Sequence, residues 1–83
     1  MKEHDEKVIQ SVYDTIRECL NEKDLHIELS SNLADLDIDS SDGYCLIMEL
    51  EEIYGIVIDD KIIETFTTVE SVVVYVEKLL ESA

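Results

Sequence analysis

There is no proline in this chain, and its 83 residues include only two glycines, Gly43 and Gly55. A sandwich or barrel needs turn residues at every hairpin, and they are missing here. Long helices joined by few connections remain the economical way to fold it. Hydrophobic residues make up 46% of the chain, which suits a packed bundle and is too much for a disordered acidic tail. At this length the core is small, and the expectation is a single domain over residues 1–83.

Apolar spacing locates the helices. Val8, Ile9, Val12, Tyr13, Ile16, Cys19 and Leu20 recur at three- and four-residue intervals and fall on one arc of a helical wheel. Glu3, Asp5 and Glu6 precede them, where the macrodipole favours acids. The period is lost from Asp24 to Ile38. Leu25, Ile27 and Leu29 alternate as in a strand, but no partner strand is available. A long loop is expected instead, with Leu29, Leu33 and Leu36 tucked against the helices. A loop of about fifteen residues without regular structure is uncommon and usually functional.

A second helix is opened by Asp39 or Ser40 and closed by Gly55 as its C-cap. Leu46, Ile47, Leu50, Ile53 and Tyr54 form its inward arc, with Tyr44 and Met48 at the edge. Asp42, Cys45, Glu49 and Glu52 face outward. Ile62, Ile63 and Phe66 mark a helical turn or two. In the last segment the run of valines has strand propensity. Yet Val69, Val72, Val73, Val76, Leu79 and Leu80 keep helical spacing, and Thr67 with Glu70 reads as a capping box. The expected fold is all-α: three main helices, one short helix, and a long loop after the first.

Charge excludes several functions. Twenty-one acids against six bases give a formal net charge of −15, and no Lys or Arg stands between Asp24 and Asp60. Such a field repels nucleic acid and anionic lipid and attracts basic protein surfaces. No segment is long and apolar enough to span a membrane, and MKEHDEKVIQ lacks the apolar core of a secretory signal, so a cytoplasmic location is expected. Cys19 and Cys45 show no metal-ligand spacing and are too few for a disulfide scaffold; two reduced thiols are expected. His4 and His26 have no spacing that suggests a triad or a metal site, and both read as solvated.

The most informative stretch is ADLDIDSSDGYCLIMELEE. Asp35-Leu36-Asp37-Ile38-Asp39-Ser40, then Asp42, Leu46-Ile47-Met48 and Leu50-Glu51-Glu52 resemble the acyl carrier protein signature, a D-L-G-x-D-S-L loop entering a helix that ends in L-E-E. Leu33 ahead of it, Gly55-Ile56-Val57-Ile58 behind it and Thr67-Thr68-Val69 extend the resemblance over almost the whole chain. It implies a four-helix carrier bundle and no catalytic residues. Ser40 would be the attachment site of a covalent 4′-phosphopantetheine arm derived from coenzyme A, and the arm would hold acyl groups as thioesters. Implied partners are a phosphopantetheinyl transferase and the acyl-transferring, chain-elongating or tailoring enzymes of fatty-acid, polyketide or related lipid biosynthesis. They would dock a monomer through basic patches on Asp39, Asp42, Met48, Glu49, Glu51 and Glu52.

This sequence departs from the pattern at Ser41, where the family usually has leucine, and at Cys45, where bacterial fatty-acid carriers commonly have an acid. Ser41 also offers a second hydroxyl beside Ser40. A D-alanyl or other aminoacyl carrier shares the Asp-Ser pair, and an acidic interaction module without any prosthetic group shares the bulk properties. An EF-hand fails on register. Ligands at Asp35, Asp37 and Asp39 leave Ser40 where glycine is required and Leu46 where the bidentate acid belongs, and starting at Asp37 leaves Asp42 and Met48 there.

Overall fold

The computed structural model describes residues 5–82, so Glu3 and His4 lie outside the described residues. Its elements are α1 (Glu6–Leu20), α2 (Ser40–Tyr54), a short 3₁₀ helix (Asp60–Thr65) and α3 (Val69–Ser82). This is the all-α arrangement that the spacing predicts.

Each end of α1 is closed by a local polar device. Asp5 caps the start by accepting a hydrogen bond from the Lys7 N–H at 2.9 Å. Asn21, in the left-handed region at φ 57°, ends it by donating to the last carbonyls. Arg17 then turns back. Its Nε donates to the Leu25 carbonyl at 2.9 Å and its guanidinium lies over the Tyr13 ring, 5.9 Å from the centroid. Partial burial, followed by the charge of Glu28, raises the Tyr13 hydroxyl above its usual pKa; the charge of Arg17 opposes the shift.

α1 and α2 run antiparallel and are tied near both ends. Tyr54 near the end of α2 donates to Ser11 Oγ at 2.8 Å. At the other end Cys19 and Cys45 form a disulfide, with Cα atoms 6.0 Å apart. The expectation of two free thiols is therefore corrected. Cys45 does point away from the core, as helical phase requires, but towards α1. Phase within one helix cannot show where a neighbouring helix lies.

The α3 start is also shifted from expectation. Ser71 N–H donates to Thr68 Oγ1 and Thr68 N–H to Ser71 Oγ, both at 3.3 Å, so the capping box is Thr68–Ser71 and not Thr67–Glu70. The loop supplies the reason. Carbonyls of Ser31 and Leu29 accept from Val69 N–H and Glu70 N–H, each at 3.0 Å, while Leu33 N–H donates to Thr67. These bonds pin the loop across the α3 N-terminus and include a lone antiparallel bridge, Asn32 to Thr68.

The core is built from Val8, Val12 and Ile16 of α1, Leu46, Ile47 and Leu50 of α2, Val69, Val72, Val73 and Val76 of α3, and Ile27, Leu33 and Ile58 of the connections. Ile27 and Leu33 show that the loop contributes to the core as well as bridging it. Leu29, Leu36, Leu79 and Leu80 pack at its margin. Ile53, expected inward, is 51% exposed. At 100° per residue it falls roughly 70° from the centre of the arc made by Gly43, Leu46, Ile47 and Leu50.

Candidate functional site

The loop delivers the chain to α2 through Asp37, whose φ of 60° places it in the left-handed region, and Asp39 then caps the helix. Asp39 Oδ1 accepts from Asp42 N–H at 3.0 Å, and Asp42 Oδ2 accepts from Asp39 N–H at 3.5 Å, a reciprocal capping box. The cap is therefore Asp39, and Ser40 is the first helical residue. Ser40 is exposed, and its hydroxyl has no hydrogen-bond partner among the described residues. Ser41 is exposed on the next position round the helix.

An apolar groove of about 370 Å³ opens beside Ser40, lined by Leu33, Ala34, Ile38, Asp39, Gly43, Leu46, Ile63 and Phe66. Its far wall is the 3₁₀ helix. Gly43 lets that wall approach: a Cβ placed there would sit 3.2 Å from Ile63 Cγ2. The signal for Gly43 is present in the sequence: a glycine inside a helical pattern costs about 1 kcal/mol against alanine and so marks close packing. A second groove of about 310 Å³ brings Tyr44, Asp60, Lys61, Ile63 and Glu64 to the other side of Ser40.

The six residues expected to dock partners do not share one surface. Tyr44, Met48 and Glu52 form an exposed row four residues apart along α2, with Met48 67% and Tyr44 47% exposed. Asp39 is exposed at the helix start, and Asp42 is half-buried in the capping box. Glu49, expected to be solvent-exposed, is half-buried on the flank shared with Cys45. Glu51 points to the opposite flank, where its Oε2 accepts from Ile58 N–H at 2.7 Å and holds the segment after Gly55. The described residues contain no cluster of three His, Cys, Asp or Glu able to hold a metal ion. No helix among them is long and apolar enough to cross a membrane.

Residues 10–76 match the family model described as phosphopantetheine attachment site. The chain belongs to this family, that of the acyl carrier proteins. Among curated relatives, an acyl carrier protein of Phytoplasma australiense is 50% identical over 46 residues, which is 55% of this chain. The chain matches about 60% of that relative's length. A family defined by attachment of a prosthetic group needs a reachable nucleophile on a stable fold. The Ser40 end of α2 has the chemistry for it: a free hydroxyl, helix N–H groups that favour a phosphodiester, and an apolar groove alongside.

Proposed function

We propose that the chain acts as a monomeric cytoplasmic acyl carrier, modified on Ser40 with 4′-phosphopantetheine. The observation that carries this reading is the free Ser40 hydroxyl at the first position of α2, released from capping by Asp39. Serine at a helix start is most often the cap itself. Here the cap is supplied by its neighbour, so esterifying Ser40 breaks no bond that holds the helix. The arm, once attached, supplies a thiol that carries acyl groups as thioesters. Residues of this chain supply position and shelter: the α2 N-terminus favours the phosphodiester, and Leu46, Ile63 and Phe66 offer apolar surface to arm or cargo.

The chain is not itself an enzyme; acyl-transferring, elongating or tailoring partners of lipid biosynthesis would do the chemistry. The docking reading narrows to the row Tyr44, Met48 and Glu52, with charge from Asp39 and Asp42 at the Ser40 end and Glu49 on the flank. Glu51 is the least suited of the six, because its carboxylate is engaged with Ile58. Ser41 makes the rim beside the arm more polar than the family's usual leucine does.

Attachment is tested directly by intact mass after incubation with coenzyme A, Mg²⁺ and a broad-specificity phosphopantetheinyl transferase. One phosphopantetheine is expected on the native chain and on Ser41→Ala, and none on Ser40→Ala. A mass that never shifts removes the carrier reading. Loss in Ser41→Ala alone moves the site by one residue.

A further inference from the structure

The disulfide is unused by the reading above, and it sits on the helix that matters most to it. Cys45 lies five residues after Ser40 and joins α2 to Cys19 in the last turn of α1. At the other end of the helix pair the tie is the hydrogen bond from Tyr54 to Ser11. The covalent bond thus anchors the Ser40 half of α2, where Gly43 and Leu46 also line the groove. Cys19 and Cys45 are both half-buried residues, and neither is among the buried residues that form the core.

We propose that Cys19–Cys45 is a site of reversible exchange with dithiols of the thioredoxin class, and that its state sets how firmly the Ser40 end of α2 is held. The value of this to a carrier rests on the function proposed above; the exchange itself does not. In the opening reaction a thiolate of the dithiol attacks one sulfur and the Cys19–Cys45 bond breaks. The second thiol of the reductant then closes its own disulfide. Two electrons pass to the pair, and each cysteine takes up one proton. Closing runs in reverse with a disulfide of the glutathione class as the electron acceptor. A cytoplasmic protein would meet both classes, and disulfides there are usually transient or redox-sensing.

The geometry allows the bond to re-form after it has opened. A Cα separation of 6.0 Å lies within the range that a disulfide spans without backbone movement. The core around Leu46, Ile47 and Leu50 is not part of the bond, so the reduced protein stays folded but less stable. Removing the closed loop's constraint predicts a melting temperature lower by roughly 10–20 °C.

The full chain, without any attached arm, is equilibrated with oxidised glutathione or with reduced thioredoxin and then denatured in iodoacetamide. Mass spectrometry should find no alkylation in the first case and two alkylated cysteines in the second. Hydrogen exchange then compares amides at 43–47 in α2 with those at 72–76 in α3. Reduction should accelerate the α2 set at least tenfold more than the α3 set, and a Cys19→Ser, Cys45→Ser variant should match the reduced protein. Three results overturn the proposal: alkylation of both cysteines after oxidation, resistance of the native bond to thioredoxin, or equal acceleration in both helices. The last would make the bond a general staple. None of these outcomes depends on whether Ser40 is modified, and should the double variant not fold, reduced native protein decides alone.

Discussion

Asp39 takes the capping role that its neighbour Ser40 is equally suited to by residue type. Asp and Ser have similar preference for the cap position, so the sequence left both as candidates. The choice is made by the backbone: Asp39 has extended dihedrals (φ −93°, ψ −173°), and Ser40 is already helical. Asp39→Ala should therefore lower stability by about 1 kcal/mol, read in a urea melt. Ser40→Ala should stay within about 0.5 kcal/mol of the native chain. Equal losses would mean that Ser40 contributes to the cap. Tyr13 makes a separate prediction. Its folded pKa is raised by burial first and by Glu28 second, so above pH 10 the folded state holds its proton more tightly than the unfolded chain. The stability this lends is fully present below about pH 10 and is lost as pH rises through the folded value. Thermal melts should decline across that window, and Tyr13→Phe should flatten the decline.

At the scale of the elements, all three long helices were legible because each buries one arc, and arcs survive in the order of residues. Val72, Val73 and Val76 illustrate it, since their spacing outweighed a valine run with strand propensity. What the order of residues hides is the neighbour. The α3 cap was misplaced by one position because carbonyls of Leu29 and Ser31, far back in the chain, claim its first-turn N–H groups. The disulfide was missed for the same reason: Cys19 and Cys45 are separated by 26 residues and carry no spacing signature. Glu51 shows the matter within the site: its sequence position reads as that of a surface acid, while its carboxylate closes the turn after α2. Glu51→Ala leaves the N–H of buried Ile58 without its charged acceptor and should cost roughly 1.5–3 kcal/mol. Glu52→Ala, on the exposed row, should cost under about 0.5 kcal/mol. Urea midpoints for the two variants check the contrast.

For the molecule as a whole, a net charge of −15 opposes compaction. Salt screens that repulsion over about 8–10 Å at moderate ionic strength, so the melting temperature should rise with NaCl. An unchanged melting temperature would mean that the charges are already too far apart to matter. The same field should steer basic partners to the exposed row. Glu52→Lys should slow loading by a phosphopantetheinyl transferase at low salt, and the difference should shrink as salt is added. Loading rates that match at low salt would place docking elsewhere on the surface. The disulfide also changes the topology of the covalent structure. With Cys19 joined to Cys45, the chain between them becomes a closed ring that contains the whole long loop. Lys23 is the one Lys or Arg in that ring, and it is exposed. A tryptic cut there severs the peptide chain without releasing either piece: the oxidised protein runs as a single band on a gel, and only reductant reveals that it has become two.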